Sequence, residues 1–313
     1  MLKLEAVSDA AACRGLWQRC IPQEHITDLW EVRECFWGPY RTAPLFLTVQ
    51  DNDNQIVGFL PLCFVEEHNY YGYFPGERWH GTTWLEQNRI IARDEAVYQM
   101  LMDYLRQENI SYHLRYLLPN EPPEASRQVV DEIGYLFRPA DHGHDMNAYY
   151  ERFSRKSIKS ILKEVRRFEE RGLEYRLDDV RDFDLLVEMN VSRFGQHSYF
   201  SDSRFAAGMR ALVDLLKAKG WLRVVTVLIE GQPAAVDIGS VYNNAYTLLA
   251  GGTHAGYQGI AKVINLYHMK CACEERFAEA DFLCGDFLWK PMFNLHPRPL
   301  YLLSNRPDLA HKE

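Results

Sequence analysis

The chain has 313 residues, with 35 basic against 43 acidic side chains, a net charge of −8, and 47% hydrophobic and 13% aromatic residues. That apolar content supports a sizeable core and excludes global disorder, and the length allows two ordinary domains. The negative balance excludes a surface that binds nucleic acid everywhere, so any polyanion site must be local.

In chain order, the first half opens with a helical region, about Ala10 to Trp37. The apolar run Leu45 to Val49, the turn Asp51-Asn52-Asp53-Asn54 and a second run, Gln55 to Val65, predict a hairpin. An aromatic stretch (Tyr70, Tyr71, Tyr73, Phe74, Trp79, Trp84) follows, suited to core packing or to lining an acceptor pocket. A helix over 94–107 and a strand over 112–118 come next. The segment 120–145, rich in proline and charge, is expected to hold one short helical stretch at 125–133 and to join two domains, 1–145 and 146–313.

The second half repeats the plan. A strand over 221–229, the turn Glu230-Gly231-Gln232, a strand over 233–242, the turn Asn243-Asn244 and a strand over 245–250 lead into a glycine loop. A helix from Ile260 to about Ala278 follows, then short strands at 281–284 and 299–303. Strand, strand, strand, glycine loop, helix, strand thus occurs once in full and once in degraded form, which suggests two copies of one α/β unit. No apolar run reaches the ~18 residues that cross a bilayer. Glu5 and Asp9 stand where a signal peptide would be apolar, and seven irregularly spaced cysteines suit reduced thiols. The expectation is a cytoplasmic protein without membrane insertion.

The strongest chemical signal is Gly251-Gly252-Thr253-His254-Ala255-Gly256-Tyr257-Gln258-Gly259-Ile260-Ala261-Lys262, between a strand and a helix. The first turn of a helix has N–H groups without partners and a dipole that favours anions, and glycine lets backbone approach a phosphate. The same glycines could instead do no more than turn a strand into a helix. There is no Gly-Lys-Ser/Thr of a P-loop, and the antiparallel-looking strands upstream do not open a dinucleotide-binding βαβ unit.

These elements resemble the core of the GNAT acetyltransferases, and in particular the CelD-like and FemAB-like branch with two tandem GNAT-like units. Three stretches carry the resemblance: the basic segment Ser154-Arg155-Lys156-Ser157-Ile158-Lys159 continuing to Gly172, Gly256 to Ala261 opening a helix, and Asp281-Phe282-Leu283-Cys284-Gly285-Asp286-Phe287-Leu288-Trp289-Lys290, similar to the branch's Asp-Phe-x-x-Gly…Tyr-Lys ending. Two positions depart from the pattern: Gly256 replaces the loop's leading Gln or Arg, and Trp289 replaces the tyrosine. The implied fold is α/β, two units each with a mixed, mostly antiparallel sheet flanked by helices, the second unit keeping the cofactor groove and the first holding a degenerate one.

The segment 152–172 reads as a helix, because Ile158, Ile161, Leu162, Val165 and Phe168 form one apolar stripe. Arg152, Arg155, Lys156, Lys159, Lys163, Arg166 and Arg167 fall in a sector about 120° wide beside it. This is a solvated face or an anion contact: for the phosphates of CoA, an acidic helix of acyl carrier protein, or tRNA. The cofactor-binding candidates are therefore Leu249, Ala250, Gly251, Gly256, Tyr257, Gln258, Gly259, Ile260, Ala261 and Lys262, joined by Lys159 and Arg166.

The resemblance implies an acyl-CoA co-substrate, direct attack by an amine, and a polarising backbone N–H near Leu249 to Gly251. Asp237 lies in the apolar strand Ala234-Ala235-Val236-Asp237-Ile238, where a carboxylate is expensive unless paired or used. Asp286, His254, Tyr257 and Lys290 complete the catalytic candidates, each with a structural alternative. Asp141-His142-Gly143-His144-Asp145 has metal-like residue types but no assignable further ligand, so no metal is expected. Cys271 and Cys273, two apart on a helix, point in different directions. The resulting expectation is an N-acyltransferase acting from acyl-CoA or acyl carrier protein on an amine such as an amino sugar or amino acid. Two alternatives are a FemAB-like aminoacyl transferase using charged tRNA, and a non-catalytic binding module in polysaccharide or cell-envelope assembly.

Overall fold

The computed structural model describes residues 1–119, 129–285 and 289–309. The chain divides into two compact units: Met1–Ile133 with Ala207–Leu212 and Pro299–Glu313, and Gly134–Ala206 with Val213–Arg298.

In order, the elements are β1 (Lys3–Val7), α1 (Ala10–Cys20), α2 (Trp30–Tyr40), β2 (Ala43–Gln50), β3 (Ile56–Val65), β4 (Tyr70–Tyr73), β5 (Ile91–Ala92), α3 (Glu95–Gln107), β6 (His113–Leu117) and β7 (Val129–Phe137). There follow α4 (Met146–Tyr150), α5 (Arg155–Glu169), β8 (Leu173–Leu177), α6 (Asp182–Phe194), α7 (Ser203–Lys219), β9 (Leu222–Ile229), β10 (Gln232–Tyr242), β11 (Ala245–Thr253), α8 (Ile260–Glu274), β12 (Glu279–Asp281), α9 (Trp289–Met292) and β13 (His296–Ser304). The order strand, helix, helix, three strands, helix, strand occurs from β1 to β6 and again from β8 to β12, with β5 an extra short strand in the first copy. The expected repeat is therefore present at the level of elements.

In the first unit, β1, β2, β3 and β4 form an antiparallel sheet, with β5 also on β3. The β2–β3 hairpin turns where predicted, Asp51 Oδ1 accepting the N–H groups of Asp53 and Gln55. Its core gathers Trp17, Trp30, Phe46, Phe59 and Phe74, all at most 1% exposed. Tyr73 and Phe74 thus belong to packing, as one of the two readings of the aromatic stretch had it. The helical region expected over 10–37 holds two helices, with a 3₁₀ turn between them that His25 and Asp28 cap. The helical stretch expected at 125–133 falls partly outside the described residues. Its described part, from Val129, is the extended strand β7, pairing at Leu136 and Phe137 with β12; tertiary pairing overrides its helical pattern.

In the second unit β8, β9, β10 and β11 are antiparallel neighbours and β12 runs parallel to β11. Both tight hairpins use left-handed residues, Glu230 and Gly231 in one and Asn243 and Asn244 in the other, as two-residue turns between twisted strands require. Phe168 of α5 and Ile260, Val263 and Ile264 of α8 cover Val225, Val227, Ile229 and Ala235 on one face. On the other face α6 approaches closely: a side chain at Gly252 would lie 2.9 Å from the Leu186 carbonyl. No helix among the described residues is long and apolar enough to cross a membrane.

Candidate functional site

In the second unit β11 is paired with β12 over only part of its length. The parallel ladder to β12 lasts only from Ala245↔Glu279 to Thr247↔Asp281, while β11 continues to Thr253. Beyond that ladder the chain turns away. Leu283 adopts a left-handed φ of 56° and donates its N–H to Asp281 Oδ1 at 2.8 Å, and Arg298 binds the other Asp281 oxygen. On its opposite edge β11 is irregular. Pairing passes from Ile238↔Ala250 to Gly239↔Leu248, so Leu249 is an extra residue without a partner in β10. A bulge of this kind locally disrupts the ladder, at the stretch where the resemblance implies a polarising N–H.

Asp237 lies directly across from Gly251. It is 4% exposed, and its Oδ2 is 2.9 Å from Nε2 of His268 on α8, itself 3% exposed. The strand therefore tolerates a carboxylate because a helix delivers a ring nitrogen to it. The second oxygen, Oδ1, would be 2.4 Å from any Cβ at position 251, so glycine keeps open the space into which that oxygen faces. Tyr246 stacks on His268, with centroids 5.1 Å apart, and occupies the place of a side chain at Gly239. Burial, reinforced by the charge of Asp237, holds the Tyr246 phenol well above its usual range. His268 escaped sequence reading, although one signal existed: an ionisable residue on an apolar helix matched by a carboxylate on an apolar strand.

The glycine loop joins the end of β11 to the start of α8. Gly259 is left-handed at φ 89° and starts α8 with no side-chain cap. By contrast α3, the corresponding helix of the first unit, is capped by Asp94 through the Val97 N–H. The start of α8 lacks a cap of that kind, because its N-cap residue is a glycine. Ile260 and Lys262 donate back to Tyr257 and Gly259, which leaves the N–H groups of Gln258, Gly259 and Ala261 without a backbone acceptor among the described residues. Arg167 of α5 donates to the Gln258 carbonyl and pairs with Glu164 at 2.9 Å, whose carboxylate in turn faces Gly259. Lys159 and Arg166 are exposed on α5, and it is Arg167 that reaches the loop. Gly256 donates its N–H to His254 Nδ1, a constraint within the loop itself. His254 and Tyr257 line a cavity of ≈ 440 Å³ with Glu188 and Arg193 of α6.

Lys290 is 2% exposed, and its ammonium donates to the carbonyls of Phe282, Leu283 and Cys284 at 3.0, 2.8 and 2.6 Å. It pins the segment after β12. Asp286 lies outside the described residues. In the His-x-His stretch, His142 stacks on Phe137, Asp141 pairs with His296 and Asp145 caps α4. The described cysteines are free thiols.

A splayed parallel strand pair, a bulge and an uncapped helix after a glycine loop thus occur together in one α/β unit. Consistent with this, residues 154–291 match the family described as acetyltransferase (GNAT) domain. Similar solved structures include FemX, at 10% identity and TM-score 0.59 over 97% of this chain and 98% of that one. A tandem GNAT protein from the clavulanic acid biosynthesis pathway matches at 10% and 0.55 over 100% of both chains. L-PGS from Bacillus licheniformis matches at 9% and 0.54 over 96% and 93%. At such identities the likeness is one of fold. No curated protein matches the sequence. Residues 154–291 thus match a GNAT acetyltransferase domain, and the chain shares its fold with a tandem GNAT protein.

Proposed function

We propose that this protein is an N-acyltransferase that moves an acyl group from a pantetheine thioester, with acyl-CoA as the simplest donor, to an amine such as an amino sugar or amino acid. The observation that carries the reading is the bulge at Leu249 beside the open edge of β11. The pantetheine arm would lie along that edge, with its diphosphate on the free amides of Gln258, Gly259 and Ala261. The backbone N–H released by the bulge would polarise the thioester carbonyl, a contact that strengthens as the oxygen gains charge. Asp237, fixed through Oδ2 by His268, would use Oδ1 to take the proton that the attacking amine loses. The amine nitrogen forms a bond to the acyl carbon as the carbon–sulfur bond breaks, and the departing thiolate acquires a proton to leave as a thiol.

The test is a pair of measurements. Acetyl-CoA at about 100 times its Kd should raise unfolding stability by about 2.7 kcal/mol. Asp237→Asn should keep that stabilisation yet lower acyl transfer to a panel of amines by about 10²- to 10⁴-fold. An unmoved midpoint with acetyl-CoA removes CoA as donor, and full activity of Asp237→Asn removes the base.

A further inference from the structure

The first turn of helix α5 and the four-residue run of cations that continues it are electrostatically unfavourable. Its first turn holds Arg155 and Lys156 and no acidic residue, although the positive end of the helix dipole disfavours cations there. Arg155, Lys159 and Lys163 recur at four-residue spacing, where like charges cost about 0.2–0.5 kcal/mol a pair. Arg155, Lys156, Lys159, Lys163 and Arg166 are all exposed and have no ion-pair or hydrogen-bond partner among the described residues. Elsewhere arginines are commonly paired, as Arg89, Arg115, Arg176 and Arg298 are. Local rules broken without an internal return point to an external partner.

We propose that this face docks an acidic carrier protein whose phosphopantetheine thioester enters the groove beside β11, so that the preferred donor is carrier-bound. The proposal rests on the reading of that groove as a thioester site. Arg167 ties α5 to the glycine loop, and Phe168 packs with Ile260 and Val263 of α8, so the basic face starts beside the place where the arm would emerge. From Arg155 to Arg166 it extends about 16 Å at ~1.5 Å per residue, the length of a short acidic helix. The 3′-phosphate of CoA is one group and cannot answer charges spread over that length. RNA suits the face less well. The exposed positions of α5 are basic residues, Ser157, Ser160 and Glu169, with no aromatic ring on which a base could stack.

The experiment compares the wild type with Arg155→Glu/Lys156→Glu/Lys163→Glu, three exposed changes outside the groove. Binding of acetyl-loaded holo acyl carrier protein, acetyl-CoA and deacylated tRNA is measured at about 50 and about 300 mM NaCl. The expected result is carrier binding that weakens at least about 10-fold in the variant and at high salt, with acetyl-CoA affinity changed less than about 2-fold. Retained acetyl-CoA binding and an unchanged far-UV spectrum certify the fold of the variant. Carrier that fails to bind the wild type, carrier that binds both forms equally, or tRNA that binds through this face in its place overturns the docking proposal. Acetyl-CoA that binds neither form counts against the CoA reading of the groove and leaves the carrier comparison to stand or fall separately.

Discussion

At the residue scale the proposed site turns on three positions, Asp237, His268 and Gly251. Replacing His268 by Leu leaves a carboxylate buried without its partner and should cost about 3–5 kcal/mol, measured by urea unfolding. Asp237→Asn/His268→Leu should recover part of that loss, since the stranded charge is gone; a double variant no more stable than His268→Leu would mean that the pair is not coupled. Gly251→Ala forces a methyl group to within 2.4 Å of Asp237 Oδ1. Its expected penalty is about 1–3 kcal/mol of overpacking, together with a fall in kcat that exceeds any change in KM, because the displaced group is the proposed base and not a donor contact. Asp237 stood out in the sequence, since a carboxylate in an apolar strand demands an explanation. Its partner and its orientation did not, because both depend on how far along α8 a side chain falls once the helix is packed on the sheet. Lys290 was visible as part of a motif, but its employment by three carbonyls exists only after the chain folds back on itself.

At the scale of elements, amphipathic and turn-bounded segments were legible and pairing was not. The α5 stripe, the β2–β3 hairpin and the turns at Glu230-Gly231 and Asn243-Asn244 follow from local chemistry. The bulge at Leu249 could not be read, because register belongs to two strands at once. Strand β7 was missed for the same reason: its pairing with β12 is remote in sequence. The junction of α5 and the glycine loop yields a prediction of its own. Glu164 presents a carboxylate to Gly259, where a diphosphate would lie. Glu164→Gln removes that repulsion and frees Arg167, and it should tighten CoA binding about 3- to 10-fold at low salt, with the gain fading as salt rises. Unchanged or weaker binding by calorimetry would place the phosphates elsewhere.

At the scale of the whole molecule, the doubled order of elements was visible in the sequence, and what differs between the copies is how a helix is capped: by the Asp94 side chain in the first, and with no N-cap side chain at Gly259 in the second. Stability as a function of pH is likewise set by a few internal groups. Burial raises Glu77 from 4.5 to about 7, against the N–H groups of Leu85 and Trp84 that favour its charged form. The folded state then holds this proton more tightly than the unfolded state, so the stability it contributes is complete below about pH 4.5 and is lost as pH rises through 7. Burial lowers His113 from 6.5 to about 4. Here the unfolded state takes the proton first, so stability falls as pH drops from 6.5 toward 4. The two displacements are of similar size and opposite slope, and between about pH 5 and 6.5 they offset one another. Wild-type protein should therefore show a nearly flat urea midpoint across that interval and a decline toward pH 8. Glu77→Gln, which keeps an oxygen for the two amides, should abolish the alkaline decline and expose a rise from pH 4 to 6.5. His113→Asn should do the reverse, leaving only a fall toward neutral pH. Each change should amount to about 1–3 kcal/mol over its window, and a Glu77→Gln profile that parallels the wild type would show that this carboxyl group is ionised throughout.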